Sequence, residues 1–310
     1  IGLQEGNAYT VCELLNAALV KSADGATMAL SAAAGDSMDE FNMKLQQKAQ
    51  NIGLKNYTIV NPVGLTNGDL KSLASKQYSD QAENAMTATD VAILARYLVN
   101  HYPQLLQVTA QKQATFMIAK GKTKTEKNLN EMLPGGKYTV PGVTIDGLKT
   151  GTSDKAGACF VSTGNYQGHR IITVVLHANG QNRDNRFVQT QRLYQMLKQN
   201  DHLQTITLPK SICQQPVANG QRRQVTLSPQ KITVWNTGSQ LRRYTLAVKL
   251  DKQYLNKKGQ LVAPISRNRT LGEVDLSSSQ LKTLNGGPLT YQLSSIENIS
   301  RGNFWQRLWH

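Results

Sequence analysis

The stretch Val143-Thr-Ile-Asp-Gly-Leu-Lys-Thr-Gly-Thr-Ser-Asp-Lys-Ala-Gly-Ala158 decides how this chain is read. A short apolar run leads into a cation, a hydroxyl and a residue without a side chain at Lys149, Thr150 and Gly151. Such a strand edge suits a peptide that carries a carboxylate. The lysine supplies charge, Thr150 a hydroxyl, and Gly151 lets a substrate backbone come close.

Strand patterns continue on the C-terminal side. Ala158–Thr163 and Arg170–His177 are apolar runs separated by Asn165-Tyr-Gln-Gly168, a hairpin signal. A helix follows over Arg183–Gln199, with Phe187, Leu193, Met196 and Leu197 as its expected buried positions. On the N-terminal side the period is helical. Thr10 and Glu13 form a capping box, and Val11, Leu14, Leu15, Ala18 and Leu19 share one face of a helix ending near Lys21. Ser22-Ala-Asp-Gly25 reads as a loop, and Ala26–Ala34 as a small-residue helix. Ser37 and Glu40 form a second capping box, opening a helix to about Ile52. Tyr57–Val60 is a short strand, Asn61-Pro-Val-Gly-Leu65 a turn, and the polar stretch to Asn84 a surface excursion. Thr89 is expected to cap a helix burying Val91, Leu94, Ala95 and Leu98.

Beyond about Thr205 the period falls to two. Tyr244, Leu246, Val248 and Leu250 alternate with Thr245, Ala247, Lys249 and Asp251, and Leu289, Tyr291 and Leu293 with Thr290 and Gln292. A small antiparallel sandwich is expected there. The domains expected are 1–204, 205–298 and a terminal segment, 299–310, whose Phe304, Trp305, Leu308 and Trp309 can share an amphipathic helical face.

The 310 residues carry a net charge of +15, which raises the question of polyanionic partners. No basic helix interleaved with aromatics and no zinc-finger or helix-turn-helix signature is present, so nucleic acid is not an expected partner. Cys12, Cys159 and Cys213 are too few and too far apart for a disulfide framework or a metal site, and the five histidines form no ligand cluster. No metal and no cofactor is expected. Cys12 and Cys159 are expected to be small buried residues.

Asp146-Gly-Leu-Lys-Thr-Gly-Thr-Ser-Asp-Lys-Ala-Gly157 closely resembles the third motif of the low-molecular-weight penicillin-binding proteins, the serine D-alanyl-D-alanine carboxypeptidase family. Asn128-Leu-Asn-Glu-Met-Leu133 is similar to the family's Asn-x-Asn-x-Leu-Leu stretch, and Asn61-Pro-Val-Gly-Leu65 to its Asn-Pro-x-Gly-Leu turn. The resemblance implies an α/β (α+β) transpeptidase-like domain, followed by a small all-β sandwich. It also implies three site motifs in order: Ser-x-x-Lys, Ser-x-Asn and Lys-Thr-Gly. Ser22-Ala23-Asp24 stands where the second belongs, with Asp for Asn. An ionised Asp24 can only accept a hydrogen bond, where Asn could donate one to a substrate carbonyl.

The first motif is not found before Lys149. Ser228-Pro-Gln-Lys231 and Ser279-Gln-Leu-Lys282 match it only after Lys-Thr-Gly, in the expected β domain. The chain is therefore expected to lack an N-terminal segment of the domain and to be inactive alone. The mechanism implied is acyl transfer to a serine and hydrolysis of the acyl-enzyme. In it Ser22 relays protons, while Lys149, Thr150 and Thr152 hold the terminal carboxylate beside Gly151. The Thr152 N–H completes an oxyanion hole, and Asp24 lies against the substrate. The implied partners are a peptidoglycan stem peptide ending in D-Ala-D-Ala, β-lactams, and an anionic membrane surface met by the C-terminal helix. The implied location is the outer face of the bacterial membrane. A non-catalytic envelope-binding module of the same fold is the alternative, with a serine β-lactamase behind it.

Overall fold

The structure is a computed structural model, and it describes residues 3–34, 37–178, 180, 182–238 and 240–305. The chain divides into two compact units, Ile1–Gln195 and Met196–His310.

In the first unit, the helix Val11–Val20 begins at the Thr10–Glu13 capping box. Its buried residues are Leu14, Ala17, Ala18 and Val20, which pack with Ala23, Ala26 and the strand residues Ala114 and Phe116. Val11, the first residue of the helix, is exposed. Cys12 is exposed beside it, against the expectation of burial; the Asn16 amide, one turn on, donates to its sulfur. The expected loop Ser22–Gly25 is shorter than its polarity suggests. Asp24 and Gly25 already belong to the helix Asp24–Ala33, so only Lys21, Ser22 and Ala23 join the two helices. The Ser37–Glu40 box opens Met38–Asn51 as read from the sequence.

The helix Ala88–His101 is capped by Thr87, not Thr89. Asp90 decides this. Its buried carboxylate accepts the Lys55 and Asn56 N–H groups and the Thr87 hydroxyl, while the Thr87 oxygen takes the Asp90 N–H. Burial pushes the Asp90 carboxyl up, but these hydrogen bonds outweigh it and leave its pKa below the usual value. The buried face is then Asp90, Ile93, Ala95 and Val99, shifted from the expected Val91, Leu94 and Leu98. The excursion before this helix is polar but organised inward. Asn67 is fully buried, donating to the Ser75 and Tyr78 carbonyls and accepting the Ser75 N–H.

The sheet that carries Lys-Thr-Gly has three antiparallel strands, Val143–Ser153, Gly157–Tyr166 and His169–Ala178, in that order. Gln167 and Gly168 both take positive φ between the last two, as a tight hairpin requires. Alternation buries Ala158, Phe160 and Ser162 on one face of the middle strand. Cys159 lies on the other and is half-buried, where a fully buried position was expected. The helix Asn185–Asn200 covers the buried face: Phe187 meets Phe160 edge-on with ring centroids 5.1 Å apart, and Tyr194 shares a hydrogen bond with Ser162. Its buried positions are Arg186, Phe187, Thr190 and Tyr194; Met196, expected inside, is exposed because the buried stripe runs from Arg186 to Tyr194.

The second unit is built of strands. Its six-stranded sheet runs, from edge to edge, Thr245–Leu250, Thr270–Ser277, Leu289–Ser295, Gln224–Ser228, Gln214–Ala218 and Leu261–Val262. Asp201–Thr207 and Lys231–Thr237 form a separate antiparallel pair. One apolar core joins residues of both, among them Ile206, Val225, Leu227, Ile232, Val234, Val274, Leu276 and Leu293. The mixed α/β unit and the β unit match the fold class read from the sequence. Ser228 and Lys231 end one strand and begin the next, and Ser279–Lys282 lies in a turn segment, so neither Ser-x-x-Lys match is helical. Among the described residues no helix is long and apolar enough to cross a membrane. Of the tail, Phe304 and Trp305 are exposed, with rings 5.7 Å apart. Leu308 and Trp309 lie outside the described residues.

Candidate active site

Local chemistry sets the Lys-Thr-Gly strand in place. Gly147 passes so close to Thr109 that a Cβ there would sit 2.7 Å from its hydroxyl oxygen and 3.0 Å from a Thr163 methyl. That hydroxyl donates to the Asp146 carbonyl at 2.7 Å, and Arg170 holds both oxygens of the Asp146 carboxylate. Asn128 and Asn130 then tie the preceding loop to the strand. The Asn128 amide donates to the Thr109 and Gln111 carbonyls, and the Asn130 amide donates to that of Gly147. Each asparagine also accepts the N–H two residues on, so the spacing Asn-x-Asn makes two consecutive Asx turns.

Beyond this anchor, Lys149 Nζ donates to Ser22 Oγ at 2.6 Å and to the Thr150 carbonyl at 2.7 Å. Ser22 and Lys149 are 127 residues apart in the chain. Ser22 is the single residue between the first helix's C-cap at Lys21 and Ala23, which caps the next. Its φ of 59° is unusual for a residue with a side chain. The geometry is held from both sides: the Lys21 and Ala23 N–H groups both bond the Ala17 carbonyl, and Leu129 N–H bonds that of Val20.

Ser22, Thr150, Gly151 and Thr152 line a cleft of about 490 Å³, with Asn128 and Leu129 on one wall and Arg183, Asp184, Arg186 and Phe187 on another. Asp24 is exposed on the first turn of its helix and is not among the lining residues. It acts on the site through its charge. Burial pulls the Lys149 ammonium down to about 8, Asp24 pushes it up, and Arg186 pushes it down.

Arg186 is the residue that sequence reading missed. It is 7% exposed, and its guanidinium donates to the carbonyls of Gly151 at 2.9 Å, Cys159 at 3.3 Å and Arg183 at 2.7 Å. It thereby fixes the end of the Lys-Thr-Gly strand to the covering helix. Nothing local announces this; an arginine three positions after Arg183 reads as helix surface. Cys159, opposite Gly151 in the strand register, gives Arg186 a second carbonyl.

Residues 1–180 match the family model of the D-alanyl-D-alanine carboxypeptidases, peptidase family S11. The chain belongs to that family. The carboxypeptidase DacC of Escherichia coli is 26% identical over 312 residues, which take in 99% of this chain and 68% of that protein. DacF of Bacillus subtilis, a protein of the same description, is 30% identical over 179 residues, 58% of this chain and 41% of its own length. The crystal structure of PBP3 of Streptococcus pneumoniae, titled a peptidoglycan synthesis regulatory factor, superposes with a TM-score of 0.81 at 30% identity, covering 96% of this chain and 79% of that one. Penicillin-binding protein 5 of Haemophilus influenzae shares the fold with a TM-score of 0.60 at 21% identity. The chain is thus a low-molecular-weight penicillin-binding protein by family, in the class of cell-wall hydrolases.

Proposed function

We propose that this protein is a serine D-Ala-D-Ala carboxypeptidase that trims peptidoglycan stem peptides outside the cytoplasm, and that the serine it acylates lies outside these 310 residues. The observation that carries the reading is the 2.6 Å contact between Lys149 and Ser22, a residue that lines the cleft. It joins a cation suited to a carboxylate with a hydroxyl suited to proton transfer.

In this mechanism the terminal carboxylate of the substrate lies along Lys149–Thr152, held by the Lys149 ammonium and the Thr150 and Thr152 hydroxyls. Gly151 leaves room for the peptide backbone. An ammonium whose pKa is brought down to about 8 is still mostly protonated at neutral pH, yet close enough to pass a proton to or from Ser22. The nucleophilic serine attacks the carbonyl between the two D-alanines. The Thr152 N–H stabilises the developing oxyanion, the terminal D-alanine leaves with a proton relayed through Ser22, and water hydrolyses the acyl-enzyme. β-Lactams, which carry an acyl group and a carboxylate in similar positions, acylate the same serine.

A second reading has one observation in its favour. Asp24, where the family motif has Asn, cannot donate to a substrate carbonyl, and its charge competes with the substrate carboxylate for Lys149. This would suit an envelope-binding module that does no chemistry. Fluorescent penicillin separates the two. The 310-residue chain should remain unlabelled, and a version extended upstream of Ile1 should label at a serine. Labelling of a serine within residues 1–310 would show the nucleophile misplaced. An extended protein that neither labels nor hydrolyses a D-Ala-D-Ala peptide, but does both as Asp24→Asn, would establish the binding-module reading.

A further inference from the structure

The charge of this chain is unevenly placed. Unit Ile1–Gln195 has 19 Lys and Arg against 15 Asp and Glu, while Met196–His310 has 16 against five. The smaller unit therefore carries +11 of the total +15. Like charge at that density repels itself in the folded state, so folding alone does not call for it. The few carboxylates there are already engaged. Asp275 binds Lys249 and Thr290, and Glu273 also lies within reach of Lys249. Glu297 binds Arg222 and the Thr226 N–H, Asp251 caps a short helix at Gln253, and Asp201 accepts from Thr237.

The second unit also has a groove of about 1120 Å³ between the start of the strand Thr245–Leu250, the end of Thr270–Ser277 and the turns up to Pro288. Arg242, Arg243 and Lys282 line it, and no Asp or Glu does. All three are exposed, and among the described residues none has an ion pair. Their backbone is nevertheless fixed. Gln280 Oε1 accepts the Arg242 N–H at 3.3 Å, and the Ser278 hydroxyl donates to the Arg243 carbonyl at 2.6 Å. Ser277, Ser278 and Ser279 line the groove with them.

We propose that this groove binds a linear envelope polymer, other than a nucleic acid, that carries repeating anionic phosphate groups. Its volume of about 1120 Å³ leaves room for several linked phosphate groups rather than a single anion. Adjacent arginines favour phosphate, because a guanidinium pairs with two of its oxygens and is weakly hydrated. The charges line an open groove, along which a strand of polymer can lie. Such a site would hold the protein beside a polymer of the envelope through a unit that has no part in the chemistry.

The test uses the 310-residue chain and linear inorganic polyphosphate, with the affinity measured over a range of NaCl concentrations. The triple variant Arg242→Ser, Arg243→Ser, Lys282→Ser should bind at least about tenfold more weakly. Its plot of log affinity against log salt should be shallower by about 2, the loss expected for three released counterions. Lys252→Ser, Lys257→Ser, Lys258→Ser removes the same charge from the same unit and should change affinity less than about twofold. Should the triple variant fail to fold, Arg243→Ser and Lys282→Ser singly should each weaken binding measurably. Equal losses in the two triple variants would overturn the proposal in favour of diffuse charge. So would wild-type binding to phosphatidylglycerol vesicles without binding to polyphosphate.

Discussion

Lys149 and Arg186 in the first unit, and Arg242, Arg243 and Lys282 in the second, are cations with opposite circumstances. Arg186 is buried and Lys149 half-buried, each hydrogen-bonded to named carbonyls or hydroxyls, and desolvation lowers the pKa of both. The second group is exposed and, among the described residues, without an ion pair. Burial makes a charge selective: a desolvated ammonium gains most from one anion in one geometry. Exposure makes charges collective, since each contributes little, is screened by salt and adds to its neighbours.

The largest effect that should follow is on chemistry. Lys149→Ala, in the form of the protein that penicillin acylates, should slow acylation by about 10²–10³-fold, the usual cost of removing a preorganised group that holds transition-state charge. Stopped-flow labelling would measure it, and a loss below about tenfold would place Lys149 with the exposed, collective kind of cation.

A second effect is on stability and its pH dependence. The folded Lys149 ammonium has a pKa of about 8, below its ordinary value of 10.5, so the unfolded chain binds that proton more tightly. The destabilisation is fully present below about pH 8 and is released as pH rises toward 10.5. Urea unfolding of the wild type should therefore gain about 3 kcal/mol over that window relative to Lys149→Gln, since each tenfold difference in proton affinity between the folded and unfolded chain is worth about 1.4 kcal/mol. A flat difference would mean that water reaches the ammonium in solution.

The smallest effect is expected in the groove. Lys282→Ser should alter the unfolding free energy by less than about 0.5 kcal/mol, because a surface substitution of an exposed side chain usually changes stability little. A larger change would show that Lys282 is tied down in solution, and would weaken the contrast on which both readings rest.

What could be read in advance was short-range. The capping boxes at Thr10 and Ser37, the Gln167-Gly168 hairpin and the strand around Lys149 depend on residues within a few positions of one another. Each was legible for that reason. The misreadings all turned on a distant partner. Thr87 caps its helix because Asp90 must also hold the Lys55 and Asn56 N–H groups. Cys12 is exposed because it stands on the helix face turned away from Leu14, Ala17 and Ala18, which pack with Ala114 and Phe116. Arg186 is buried because the carbonyls of Gly151 and Cys159 end up beneath it.

The sequence by itself determined the family, the order of α/β and β regions, and which residues could hold a carboxylate, since those follow from period, turn chemistry and the Lys-Thr-Gly context. Only the tertiary structure decided that Lys149 reaches Ser22, that Arg186 fastens the strand end, and that three scattered basic residues of the β unit face one groove. Periodicity gives the direction of a side chain from its own backbone. It cannot give what stands opposite, because that is set by segments that are far apart in the chain and meet only when the apolar faces close.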